Sequence, residues 1–349
     1  MTYVMLPRKS TAATCLARTE EARYDMRILV TGAAGFIGFH SARRLLGAGH
    51  QIVGIDNLNG YYDPRLKNAR LGILQREPNF TFQRLDLADR EGMAQLFDRE
   101  ELDAVLHLGA QAGVRYSIEN PFAYVDSNIT GTLTVLEGCR RHDIKHLIYA
   151  SSSSVYGANT KQPFSVEDRV DSPISLYAAT KKSDELMCQT YAHLFDIPCT
   201  GLRFFTVYGP WGRPDMAYFK FAKAILANEA IDVYNNGNMR RDFTYIDDIV
   251  DAIEAIVTRP FTRDELAPHH VYNLGNSRPE ALEDLIRALE SSLGRPAIRR
   301  NLPMQPGDVH ATFADITPAS HDYGFRPRTT LKEGIAEFVG WYKDFYGVS

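Results

Sequence analysis

A tyrosine and a lysine stand four residues apart in Tyr177-Ala178-Ala179-Thr180-Lys181, inside a stretch with helical patterning over 175–195. Residues i and i+4 share one helix face, so a phenol and an ammonium placed this way act on the same small volume. A free tyrosine, with a pKa near 10, is a poor base at neutral pH. A neighbouring ammonium favours the phenolate and lowers that value. A phenol tuned in this way removes the proton of a secondary alcohol while hydride leaves the same carbon. Taken alone, such a pair is also what a solvated helix face carries. It gains weight from Ala150-Ser151-Ser152-Ser153-Ser154-Val155-Tyr156-Gly157, where hydroxyls come after an apolar strand and can bind the reacting oxygen.

A second cluster suits phosphate binding. Residues 31–38 read Thr-Gly-Ala-Ala-Gly-Phe-Ile-Gly, with Gly32, Gly35 and Gly38 spaced three apart between a strand and a helix. Glycine permits the tight turn and close backbone approach that a pyrophosphate needs. The helix N-terminus supplies N–H groups and a positive dipole. A bare glycine triplet is a weak signal; its place after the first strand strengthens it. Asp56 ends the second strand, eighteen residues after Gly38. An acid at that place accepts from the adenosine ribose hydroxyls in dinucleotide-binding folds. A carboxylate there repels a 2′-phosphate, so the expected cofactor is NAD rather than NADP. The other reading of Asp56 is a turn cap. Asp86 comes after the third strand and suits equally the adenine amino group or the N-cap of the next helix.

These groups need a scaffold that brings strand ends together. From Asp25 the chain alternates short apolar strands (27–30, 51–55, 80–83, 104–107, 146–149, 200–205) with helical patterns, notably 36–46, 122–141 and 175–195. That alternation implies parallel βαβ units with right-handed crossovers. The expected fold is α/β, a Rossmann-type doubly wound parallel sheet with its ligand crevice at the carboxyl ends of the strands. After about residue 206 the rhythm is broken by Gly209, Pro210, Gly212 and Pro214. We expect residues 26–205 and 242–276 to form a dinucleotide-binding domain, with 206–241 and 277–349 as a smaller α/β substrate-binding domain. Residues 1–25 read as a flexible tail.

Bulk properties narrow the function classes. The chain has 349 residues, 44% apolar and 23% charged, an ordinary globular mix. Its 39 basic and 43 acidic residues are interleaved, so nucleic acid is not an expected partner. There is no apolar run of membrane-spanning length and no secretory h-region; Glu20 and Glu21 argue against a transit peptide. The four cysteines, Cys15, Cys139, Cys188 and Cys199, contain no C-x-x-C pair, which points to a reducing cytoplasm. His269 and His270 are adjacent in a strand and point to opposite faces, so no metal is assigned.

The glycine loop, the Ser152 strand end and the Tyr177–Lys181 pair together resemble the extended short-chain dehydrogenase/reductase superfamily. The resemblance runs from about Met26 to the C-terminus and includes Arg241-Asp242-Phe243 and Gly307-Asp308. It implies that Tyr177 is the base, that Lys181 orients the cofactor ribose and tunes the phenol, and that Ser152 binds the sugar 4-hydroxyl. It adds Phe36, Ile37, Leu87, Leu108 and Phe204 to the cofactor site. It also implies a homodimer, paired through the segments near 122–141 and 175–195 as a four-helix bundle.

Members of that superfamily share oxidation at C4 and differ in the later steps. The 4,6-dehydratases carry an Asp-Glu acid pair just after the catalytic hydroxyl; here Ser153 and Ser154 stand there and cannot do that proton work. The run from Leu202 to Met216, with Val114-Arg115-Tyr116-Ser117 and Ser175-Leu176-Tyr177, resembles the UDP-glucuronate 4-epimerases. A uronic acid needs donors for its carboxylate. Arg213, Thr206 and the Ser152–Ser154 hydroxyls are candidates, with arginine the natural bidentate partner; the other reading of Arg213 is a surface or interdomain ion pair. Arg115 divides evenly between substrate loop and structure, and the resemblance adds Met216 to the sugar site. It further implies Arg241 on the diphosphate, Asp308 on the uridine ribose and Tyr234 on uracil. The expected reaction is NAD-dependent 4-epimerisation of UDP-glucuronate to UDP-galacturonate. A neutral UDP-hexose 4-epimerase, a UDP-glucuronate decarboxylase and a non-catalytic NAD sensor are the rival readings.

Overall fold

The computed structural model describes residues 25–259, 268–304 and 309–348. The strands run in chain order as β1 (Arg27–Thr31), β2 (Gln51–Asp56), β3 (Phe80–Arg84), β4 (Ala104–His107), β5 (His146–Ser152), β6 (Cys199–Phe204), β7 (Thr206–Tyr208), β8 (Ala230–Tyr234), β9 (Arg240–Tyr245), β10 (His269–Leu274), β11 (Pro279–Ala281) and β12 (Ile298–Leu302). Seven of them form a sheet in the order β10-β6-β5-β4-β1-β2-β3, with every pairing parallel. The order reverses at β1, which is flanked by β2 and β4. Such a reversal opens a crevice outside the carboxyl ends of the strands.

The apolar runs explain the two-sided burial. Successive residues of a strand face opposite sides of the sheet. Ile28 and Val30 therefore join a cluster with Phe39, Leu45 and Ile148, while Leu29 joins the opposite cluster with Val53, Val105 and Leu147. Helix Phe36–Gly47 packs on the first face through Phe39, Ala42, Leu45 and Leu46, which recur at helical spacing. Helices Arg90–Arg99, Gly131–Arg141 and Leu176–Phe195 cover the other face.

Two small sheets lie beyond the large one. One has the order β11-β9-β7 and the other pairs β12 with β8. The apolar cluster runs on from Ile28 through Tyr218 and Phe243 to Phe338 and Tyr342.

The segment expected as one helix over 122–141 is divided. Helix Pro121–Tyr124 leads into a π-helical turn, Val125–Thr130, before helix Gly131–Arg141. The wide turn carries Asn128 into the interior. Asn128 Oδ1 accepts from Gln111 N at 2.8 Å, while its Nδ2 donates to Gln111 O at 3.1 Å and Thr180 Oγ1 at 3.0 Å. The turn thereby ties the loop after β4 to the helix that carries Tyr177.

Candidate active site

A cleft of about 1360 Å³, counted to its open mouth, runs along the carboxyl ends of β1, β2, β4, β5 and β6. Its floor begins at the glycine loop. Gly32 has φ +68, and a Cβ there would lie 2.8 Å from Gly109. A Cβ on Gly38 would lie 2.1 Å from the Gly32 carbonyl oxygen. Only glycine fits this turn, which opens onto the N-terminus of helix Phe36–Gly47 with Gly35 as its N-cap. Asp56 is buried at the end of β2. Its Oδ1 accepts from Leu58 N at 2.8 Å and from Lys67 Nζ at 3.4 Å, which leaves Oδ2 without a protein partner among the described residues. Turn cap and cleft wall are thus both true of Asp56. Asp86 lines the cleft, with Oδ2 accepting from Asn57 Nδ2 at 2.8 Å. The next helix is capped instead by Asp89, which accepts from Gly92 N at 3.0 Å. Phe36, Ile37, Leu87, Leu108 and Phe204 complete the same wall.

Tyr177 and Lys181 also line this cleft. Ser175 caps their helix, its Oγ accepting from Ala178 N at 3.1 Å. Tyr177 lies in the first turn, where the helix terminus contributes positive potential. Lys181 is buried and donates to Ala150 O and to Asp184 Oδ2, each at 3.0 Å. An ammonium has three protons, so one remains for the cleft. Burial opposes the charge on Lys181, but Asp184 outweighs it and raises its titration above the usual lysine range. Ser152 closes β5 at the cleft, its Oγ bonded to Ser154 N at 3.1 Å and Ser154 Oγ at 2.9 Å.

Arg213 and Met216 line the same cleft. The Arg213 guanidinium is gripped by Asp215, Nε to Oδ1 at 3.0 Å and Nη2 to Oδ2 at 2.5 Å. Burial raises the Asp215 carboxyl, and Arg213 outweighs this to hold it below its usual range. Two of the five guanidinium protons are committed, and three remain for a ligand.

Residues 28–275 match the NAD dependent epimerase/dehydratase family. The chain belongs to that family. A probable UDP-glucuronate 4-epimerase from Rhizobium meliloti (strain 1021) is 48% identical over 334 residues, which cover 92% of this chain and 98% of that protein. Among solved structures, the UDP-glucuronic acid 4-epimerase of Bacillus cereus, in complex with UDP-glucuronic acid and NAD, superposes with a TM-score of 0.85 at 36% identity. That match covers 92% of this chain and 100% of the other. The UDP-glucose 4-epimerase of Thermotoga maritima, with UDP-glucose, gives 0.83 at 29% identity over 92% and 100% of the two chains.

Other residues expected at the site of this epimerase-family member lie elsewhere. Ser153 and Ser154 form a 3-10 turn behind Ser152, and Thr206 begins β7; none lines the cleft. Arg115 and Tyr234 also stand outside it but meet each other, the guanidinium 4.9 Å from the ring centre. Arg241 donates to Arg240 O at 2.9 Å and His310 O at 3.3 Å. Asp308 lies outside the described residues. Sequence reasoning missed the polar groups that hold the chemistry in place: Lys67 on Asp56, Asp184 on Lys181 and Asp215 on Arg213. Asp184 was reachable, because it falls three residues after Lys181 on one helix face.

Proposed function

We propose that this chain is an NAD-dependent UDP-glucuronate 4-epimerase that forms UDP-galacturonate. The observation that carries the reading is that Arg213 lines the same cleft as Tyr177, Lys181 and Ser152. The latter three serve alcohol oxidation at C4; a guanidinium with uncommitted donors serves a carboxylate. The residues present also fit a dinucleotide. The loop at Gly32, Gly35 and Gly38 is a cradle that side chains would fill, and Asp56, on the cleft wall, has Oδ2 uncommitted among the described residues, which supports a ribose contact.

NAD held by the glycine loop and Asp56 would supply the hydride acceptor for C4 and the donor for its return on the opposite face. The chain's own residues do the rest. Tyr177 removes the proton of the C4 hydroxyl oxygen and returns it when the new alcohol forms. Lys181, held protonated between Asp184 and Ala150, keeps a positive charge beside the phenol. Ser152 hydrogen-bonds the reacting oxygen. The 4-keto sugar derived from a glucuronate is a β-keto acid, which loses CO₂ when the breaking C–C bond aligns with the carbonyl π system. Arg213 holds the carboxylate out of that alignment, and Asp215 fixes the Arg213 plane. Tyr234, Arg241 and Asp308 are assigned to the nucleotide end of the substrate.

The division at residues 206 and 242 into cofactor and sugar-nucleotide units belongs to the same reading, as does a homodimer. The dimer is supported by exposed Ile118 and Phe122 next to helix Leu176–Phe195, which exposes Leu186 and Leu194. Free buried thiols at Cys139, Cys188 and Cys199 suit the cytoplasm. Among the described residues no helix is long and apolar enough to cross a membrane.

Purified protein incubated with UDP-glucuronate and no added cofactor, followed by nuclear magnetic resonance, tests the reading. UDP-galacturonate is expected. A pentose product would indicate a decarboxylase, and turnover of UDP-glucose alone a neutral hexose epimerase.

A further inference from the structure

Arg70 is wholly buried, yet every group it bonds is neutral. Nη1 donates to Ala34 O at 2.9 Å and to the Tyr62 hydroxyl at 2.8 Å. Nη2 donates to Trp211 O at 2.5 Å and to Gly212 O at 3.1 Å. Nε has no partner among the described residues. Among those residues no carboxylate lies within ion-pairing distance of this guanidinium. A buried cation is normally matched by an anion, because hydrogen bonds to neutral acceptors satisfy the donors but not the charge.

The two ends of this grip are both functional places. Ala34 belongs to the glycine loop, between Gly32 and Gly35. Its carbonyl is turned back to Arg70, while Ala33 N and Gly35 N donate to Ile55 O at 3.1 Å and Gly32 O at 2.8 Å; the anion site is therefore the N-terminus of helix Phe36–Gly47. Trp211 and Gly212 immediately precede Arg213. That backbone is tightly constrained: Trp211 sits at φ +60, and a Cβ on Gly212 would lie 1.9 Å from the Tyr218 hydroxyl.

We infer that Arg70 is a positioning residue joining the two halves of the cleft. A dinucleotide diphosphate on the glycine loop completes its unmatched charge, and the same guanidinium fixes the backbone from which Arg213 reaches the sugar. This rests on the NAD and uronate reading given above. Coupling of this kind is reciprocal, so a bound UDP-sugar also tightens cofactor retention.

Two variants separate charge from grip. Arg70→Gln removes the charge; Arg70→Lys keeps it but cannot span Ala34, Tyr62, Trp211 and Gly212 together. The readouts are NAD bound per chain after gel filtration, kcat and KM for UDP-glucuronate, CO₂ released per epimerisation, and the thermal midpoint. Arg70→Gln is expected to weaken NAD binding on the order of tenfold. Arg70→Lys is expected to keep NAD, raise KM with a smaller change in kcat, and release CO₂. Variants with wild-type NAD content and KM, altered only in thermal midpoint, would overturn the inference. Should Arg70→Gln fail to fold, a wild-type KM without CO₂ release in Arg70→Lys overturns it alone. A wild-type protein that neither holds NAD nor converts UDP-glucuronate would overturn the functional reading itself, whereas normal wild-type turnover with unaltered variants overturns only the role of Arg70.

Discussion

At the scale of single residues, Tyr177 and Lys181 share a site but not a structural burden. Tyr177 lines the open cleft, whereas Lys181 is buried against the equally buried Asp184. Tyr177→Phe removes the proton acceptor and little packing. It should lower kcat by about 10²–10⁴ with an unfolding free energy within about 0.5 kcal/mol of wild type. Lys181→Met strands the Asp184 carboxylate in the interior and should destabilise by about 3–5 kcal/mol as well as abolish turnover. Steady-state rates and urea unfolding of the two variants check the contrast. The Tyr-x-x-x-Lys pair was legible in sequence because its geometry is local, one helical turn. The clamp of Asp215 on Arg213 and the burial of Arg70 were not, since they depend on loops and helices that only the folded chain brings together.

At the scale of elements, the glycine loop is the least forgiving part of the cofactor cradle. Gly38→Ala forces a Cβ into the Gly32 carbonyl, a backbone atom that cannot swing away. The variant should lose bound NAD and on the order of 1–3 kcal/mol of stability; cofactor content and thermal unfolding measure both. This loop and the alternating strands could be read directly, because apolar runs and glycine punctuation mark them at short range. The π-helical turn Val125–Thr130 could not. Its wide geometry is held by the bonds from Asn128 to Gln111 and Thr180, which come from distant parts of the chain. The same limit explains Asp86, where sequence left adenine contact and helix cap equal; the cap went to Asp89, three residues on.

At the scale of the whole molecule, two consequences concern assembly and pH. Leu186 and Leu194 expose 56% and 60% of their surface on helix Leu176–Phe195, and Phe122 exposes 78% beside it. Such a face is expected to be covered by a second copy. Phe122→Glu with Leu186→Glu should convert a dimer to a monomer in sedimentation equilibrium. Acid should weaken the fold through its buried imidazoles. Burial, aided by Lys181, lowers His107 from 6.5 to about 3, and burial lowers His146 to about 4. The unfolded chain takes up these protons below pH 6.5 while the native chain does not. Their contribution is therefore complete above pH 6.5 and drains as pH falls towards 4, by at most about 2.7 kcal/mol per pH unit for the pair. Urea midpoints that rise on acidification over this range would contradict the assignment.

In the proposed mechanism one cleft removes a proton through Tyr177 and shuttles the C4 hydride without exchanging it with water. UDP-glucuronate deuterated at C4, incubated with the protein as purified, tests this most directly. UDP-galacturonate that still carries the deuterium at C4 is expected. Product that has lost the label to solvent would contradict it.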